Sequence, residues 1–436
     1  MTVAARPLLV DVHSHVYPPS YMELMRKRAQ IPKIIKGADG GERVVLLKEE
    51  EGKGANSKGR PVGPQYWDRD EKIKFMDTHG IDVTQIAHAI PIPQVVSLAN
   101  PWLDFLEPAE ATQAAHDLNL DVQSYCASFA PSSSSSSSFS PLTEKRLFGF
   151  GSLPLVPGIE TKKVVEAVKQ IKGLSYLRGV VMGTKGIGKG LDDPGMEPIW
   201  EAIAAAGLVV FVVSLRLRSS DLLKKRLTRI GILQHPHYGI ENAFGEQDNG
   251  HVLALGLGFP FETTIAIARL ILSGVLDRHP TLKLLLAHSA GALPALSSRL
   301  SSCVVHDPHV KDRLQHDFRY YLGQMWYDAV TYGPEELALV ERVVSRANGY
   351  EGKEEQIEFV DRVTTRAHAP EGAFPGVDRI MFGTDHPFFP PLDGEGTRWK
   401  SVDENLDAIA GVAGWGADER AKVMGGNAVE LFDLEL

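Results

Sequence analysis

Cysteine is almost missing from this chain: 436 residues carry two, Cys126 and Cys303, far apart and in no C-x-x-C pair. That excludes a cysteine zinc knuckle or a disulfide framework and fits a reducing compartment. Positive charge is not in excess either. Against 55 acidic side chains stand 46 basic ones, a formal charge of −9, so a wide basic surface for nucleic acid or acidic lipid is not expected. No stretch reaches the roughly 18 uninterrupted apolar residues of a membrane span, and the apolar run in "MTVAARPLLVDVHSH" is too short for a secretory signal. With 43% hydrophobic and 23% charged residues, the composition is that of a cytoplasmic globular protein with no nucleic-acid or membrane partner.

What is present is alternation. Short apolar, β-branched runs recur, each separated from the next by a helix-like amphipathic segment, as in parallel strands joined by crossover helices. In order they are "PLLVDVHSH", "VVSLAN", "RLFGFGSLP", "LRGVVMGT", "LVVFVV", "LKLLLAHS", "QMWYDAVTYG" and "DRIMFGTDHPFF". Helical segments such as "DEKIKFMDTHG", "TKKVVEAVKQIKG" and "ETTIAIARLILSGVLDRHP" lie between them, and Gly207 after "EPIWEAIAAA" suits a helix C-cap. Eight such units are the count of a (β/α)₈ TIM barrel, one domain spanning 1–436. A doubly wound open sheet is the alternative. Four stretches break the rhythm and read as loop insertions: 84–94, the Ser-rich 130–141, 214–234 and 348–376. A charged, Gly-rich stretch ending in "GRPVGPQYWDRD" should cross the surface near the exit of the first strand.

The chemistry gathers at strand ends. His13 and His15 of "DVHSH" are two apart, so in a strand both imidazoles face one point, as metal ligands do. A lone histidine is more often a satisfied core residue, but a pair at the C-terminal end of the first barrel strand favours Zn²⁺, with Mn²⁺ or a similar divalent ion as the alternative. Further ligands should end other strands on the same face. "QHPHYG", "LLLAHSAG" and "FGTDHPFF" qualify. Asp385 would serve there as ligand, proton donor or both, unless T-D-H-P is merely a turn closed by an Asx hydrogen bond. His288 ends its apolar run among small residues that let a ligand approach. "GTKGIGKGLDDP" lacks the phosphate-loop spacing, which leaves Lys185 in a strand-end loop with little claim to bridge a metal.

Taken in order, "DVHSH", "HPHYG", "LLLAHSAGALP" and "FGTDHPFF" resemble the amidohydrolase superfamily, in the branch of aminocarboxymuconate-semialdehyde decarboxylase and related non-oxidative decarboxylases. The likeness runs from Val10 to about Phe432. "DVHSHVYPPSY", "GRP", "SLANPWLDFL", "GKGLDDP" and "HVLALGLGFPFETTIAIARL" look most like the fungal isoorotate (uracil-5-carboxylate) decarboxylases. The resemblance implies a barrel with one catalytic divalent metal, usually zinc, held by His13, His15, His235 and Asp385. It implies substrate contacts from Arg60, Asn100, His288 and Phe388, catalysis by Asp385 and His288, a small carboxylate as substrate and a homodimer. The reaction implied is loss of CO₂ from isoorotate to give uracil, a step of pyrimidine salvage. The alternatives are an aminocarboxymuconate-semialdehyde or hydroxybenzoate-type decarboxylase, a zinc-dependent amidohydrolase using the same metal to activate water, and a catalytically impaired barrel.

Two departures from that pattern stand out. Ala290 occupies a place where relatives usually carry glycine. More seriously, Leu215 to Gln234 inserts six basic residues and one acid between "LVVFVV" and His235, where relatives pass directly from strand to H-P. Either the stretch is a genuine surface excursion that returns His235 to the metal, or it is a retained intron translated in frame. The second reading is favoured, because excision would rejoin "LVVFV" to "HPHYG".

Overall fold

The computed structural model describes residues 8–46, 50, 59–80, 94–127, 146–213, 252–352, 375–391 and 397–434. Its strands are β1 (Asp11–Val16), β2 (Lys33–Lys36), β3 (Glu42–Val45), β4 (Arg60–Pro61), β5 (Gln94–Leu98), β6 (Leu147–Ser152), β7 (Leu177–Gly183), β8 (Val209–Val213), β9 (Lys283–Leu286), β10 (Trp326–Asp328) and β11 (Ile380–Met381). Eight of them pair side by side in the order β1-β5-β6-β7-β8-β9-β10-β11, all parallel. Each falls, to within a residue, in one of the eight apolar runs; β5 begins one residue early, at Gln94, which the sequence pattern puts at the end of an insertion. The ring closes where the chain beyond β11 meets β1: the Val12 amide donates to Phe382 O at 3.0 Å and the His15 amide to His386 O at 2.7 Å, and Ser14 and His386 form a parallel bridge. This is the (β/α)₈ barrel, with helices around it.

Strand alternation sorts the apolar side chains into two cores. Phe148, Phe150, Val181, Val209, Phe211, Leu285 and Met381 share one cluster, which fills the barrel. Their neighbours Val180, Met182, Val210, Val212, Leu284 and Leu286 join Ile171, Trp200, Ile203, Ile267 and Ile271 of the surrounding helices in the other. Gly151 has no side chain on that outer face for a steric reason: a Cβ there would lie 2.5 Å from Ile171 Cγ1.

The helix Arg69–His79 is set precisely at both ends. Asp68 accepts from the amides of Asp70 and Glu71, and Gly80 ends the helix at φ 65, a cap of this kind stabilising by about 1 kcal/mol. Gly207, also at φ 65, ends Glu197–Ala206 as expected of a C-cap.

A small antiparallel sheet, β2-β3-β4, has no counterpart in the sequence reading. The stretch ending in "GRP" pairs Arg60 with Val44 and Pro61 with Arg43, so Arg60 is fixed by a strand. Residues 84–93, 130–141, 214–234 and 353–374 of the four insertions lie outside the described residues; Ala347–Tyr350 is a short 3₁₀ turn.

Candidate metal centre

His13 and His15 project from β1 on one face, and their Nε2 atoms lie 3.1 Å apart. Asp385, in the turn beyond β11, brings Oδ1 to 3.2 Å from each of those nitrogens. At the exit of β9, His288 Nε2 lies 3.8 Å from Asp385 Oδ2. The side chains of His13, His15 and Asp385 are 0%, 3% and 11% exposed, against 20% for His288, so the cluster opens to solvent on the His288 side.

Backbone geometry makes this convergence. The Asp385 amide donates to His13 O at 2.7 Å, with φ 58 at Asp385; His288, Ser289 and Ala290 follow one another at φ 52, 50 and 64. Left-handed conformations cost about 1–2 kcal/mol for each residue with a Cβ, so something must hold them. Asp328, buried at the end of β10, does so for the His288 turn. Its Oδ2 accepts from the His288 amide at 3.0 Å and its Oδ1 from the amides of Ser289 at 3.0 Å and Val330 at 3.1 Å. The same carboxylate receives His13 Nδ1–H at 2.6 Å, which turns the Nε2 of His13 toward the cluster.

The side chains suit a divalent cation. Three donor atoms 3.1–3.2 Å apart subtend roughly 100° at a point 2.0–2.1 Å from each, the usual bond length from zinc to imidazole nitrogen or carboxylate oxygen. His13, His288 and Asp385 each offer one donor atom within 4.8 Å of the others. His288 Nδ1 is buried without a hydrogen-bond partner among the described residues.

Electrostatics in the metal-free protein point the same way. Burial opposes charge on His13, yet Asp385 and Asp328 outweigh it and push the imidazole up to about 10. Burial drives His15 down to about 4, against its hydrogen bond to Asp385 and helped by the charge on His13. Asp385 would be raised by burial, but His13 first, then hydrogen bonds from His15 and His288, hold it well below the usual carboxylate range. A proton on His13 thus supplies positive charge where a cation would.

The other expected residues divide. Burial raises the Tyr17 and Tyr66 hydroxyls; Arg60's charge opposes this at both, while Asp385 reinforces it at Tyr66. Arg60 and Asp385 thus both act on the Tyr66 hydroxyl, and Nε and Nη2 of Arg60 are buried with no hydrogen-bond partner among the described residues. Phe388 packs edge-on to His15 at 5.4 Å and to Tyr66 at 6.1 Å. Asn100 follows β5, and its carbonyl accepts from Tyr17 Oη at 2.7 Å. Lys185 pairs with Asp104 at 3.0 Å. His235 lies outside the described residues.

Several supporting residues are not among those that the sequence pattern singles out. Asp328 is one, although an acid ending the run "QMWYD" carries the same signal as Asp385. Ser97 meets His15 Nδ1 at 2.9 Å. Asp11 Oδ1 accepts from the amides of His13 and Thr384, both at 3.1 Å, and Oδ2 from Thr384 Oγ1 at 2.7 Å.

Comparison with known proteins agrees with this architecture. Residues 142–344 match the family model described as Amidohydrolase. The fold superposes on the crystal structure of Metarhizium anisopliae IDCase in apo form with a TM-score of 0.76 and 34% identity, covering 99% of this chain and 98% of that one. The 2-amino-3-carboxymuconate-6-semialdehyde decarboxylase of Dictyostelium discoideum is 22% identical over 438 residues, 99% of this chain and 93% of its own. A dihydroxybenzoic acid decarboxylase from Polaromonas, solved with bound manganese and an inhibitor, shares the fold at a TM-score of 0.60 and 17% identity, with 98% of each chain covered.

Proposed function

The chain belongs to the amidohydrolase superfamily, among its non-oxidative decarboxylases, and on that premise we propose that it releases CO₂ from isoorotate to leave uracil. The observation that carries the substrate assignment is the 34% identity to the Metarhizium IDCase over nearly the whole of both chains. The cluster supports it with the groups such a reaction needs.

We assign His13, His15 and Asp385 as ligands of one divalent metal, with His235 as a fourth, and take the metal to be zinc, which two imidazoles and a carboxylate suit. When bound, it would act as a Lewis acid toward the substrate's carboxylate and adjacent carbonyl oxygen. The chain's own groups do the rest. Arg60, with two buried nitrogens free of partners among the described residues, offers a planar fork to a carboxylate or carbonyl. We take Phe388, which packs against His15, and Asn100, just beyond β5, as the groups that set the pose of a flat ring. The bond from ring carbon to carboxylate breaks, its electron pair stays on the ring carbon, and a proton must arrive there. We assign delivery of that proton to Asp385 Oδ2, the oxygen that faces His288 Nε2; ionised at rest, the carboxylate takes the proton up from solvent on the His288 side and passes it on, with His288 fixing its direction. A homodimer is part of the same reading and is measured by sedimentation.

Purified protein incubated with isoorotate should produce uracil and CO₂ in equal amounts. Absence of turnover there, together with hydrolysis of a cyclic amide, would return the chain to the hydrolases.

A further inference from the structure

Lys72 is a lysine in the interior, 0% exposed, on the helix Arg69–His79. An ammonium without water requires partners for every proton. This one has three: Ser14 Oγ at 2.8 Å, His15 O at 3.1 Å and His386 Nδ1 at 2.6 Å. Each acceptor adjoins the cluster. Ser14 lies between His13 and His15, the carbonyl is that of His15, and His386 follows Asp385. The ammonium therefore spans the seam at which the first strand meets the chain beyond the last, the same seam that separates the two imidazoles from the carboxylate.

The far end of that bridge is rigid. The His386 ring stacks on Phe75 with centroids 3.7 Å apart and packs at 4.4 Å from Trp399. Phe75 stands on the same helix as Lys72, one turn on, so a single helix face fixes both the donor and the ring that accepts from it. An apolar side chain of equal length would fill the space and leave three buried acceptors without this donor.

We propose that Lys72 is a positioning residue that sets the spacing of His13 and His15 relative to Asp385, and so tunes the affinity for the metal. The inference rests on the reading of those three residues as ligands. Groups behind a ligand commonly change metal affinity by about 10–100-fold, and that is the effect expected of Lys72→Met. It is measured by titrating zinc, then manganese, into metal-free protein against a competing chelator. The rise in Tm that metal gives the wild type should shrink in the variant, and Lys72→Arg, which keeps a cation and several donors, should recover part of the affinity. Should Lys72→Met fail to fold, Ser14→Ala removes one acceptor with little change in packing and should weaken binding in the same direction by a smaller factor. A purely structural Lys72 would lower Tm equally with and without metal and leave affinity unchanged, which would overturn the proposal. Wild-type protein that binds neither metal would overturn the reading of the ligands themselves.

Discussion

Asp328 holds His13 from behind: the carboxylate accepts a hydrogen bond from Nδ1–H at 2.6 Å, and both residues are wholly buried. Because the same carboxylate also receives the amides of His288, Ser289 and Val330, the orientation of one imidazole and the turn that presents another depend on a single side chain. Asp328→Asn keeps the size but removes the charge that makes His13 a strong donor. Its metal affinity should fall about 10–100-fold, read by chelator competition. Unchanged affinity would mean that His13 is oriented by packing alone.

Gly383 has a steric reason to be glycine. A Cβ there would lie 2.7 Å from His13 Cβ and 3.0 Å from Val330 Cγ2, and neither neighbour is the free end of a flexible side chain. Gly383→Ala should therefore cost about 1–3 kcal/mol of stability, as overpacking does, and shift His13 enough to weaken metal binding. Denaturant unfolding of the metal-free variant and a metal titration separate the two effects. A variant as stable as the parent would show that the backbone relaxes around the methyl.

Acid stability should depend on a carboxylate far from the cluster. Burial alone would raise the Asp317 carboxyl, but hydrogen bonds from the Arg319 guanidinium and amide, and from Ser301, outweigh it and lower it. The guanidinium contacts are both 2.9 Å and that of Ser301 Oγ is 2.7 Å. A group depressed in the folded state stabilises above its unfolded value, about 3.9 for aspartate, and the contribution fades as pH falls through the folded one. Asp317→Asn should cost about 1–3 kcal/mol at neutral pH and progressively less below pH ~4. A loss that is the same at pH 3 and pH 7 would contradict the ionic origin.

The barrel was legible because its evidence is local and repeated. Each strand carries its own apolar run, and strand geometry alone makes His13 and His15 face one way. Asp385 and His288 were legible as strand ends. Lys72 was not, because a lysine on an amphipathic helix is usually solvated; only its spacing from Phe75 and Met76, three and four residues on, hints that it shares their buried face. Arg60 needed the resemblance, since its place depends on pairing between β3 and β4, a contact between segments that no local pattern announces. Asp328 carried a local signal, an acid at a strand end, but its role depends on amides some forty residues away.

His235 is the open element of the ligand set. β8 ends at Val213, parallel to β7 and β9 and with Phe211 4.9 Å from the His13 ring, so a histidine directly after this strand would start near the cluster. The sequence instead places His235 beyond a basic stretch. If the chain brings it back, His235→Ala should weaken zinc binding about as much as His15→Ala does. If the stretch is a retained intron, transcripts lacking residues 214–234 should be found, and protein made from them should bind zinc more tightly than the full chain and lose that advantage on His235→Ala. Uniform retention of the segment in transcripts, with wild-type affinity in His235→Ala, would leave the metal with three protein ligands and remove His235 from the site.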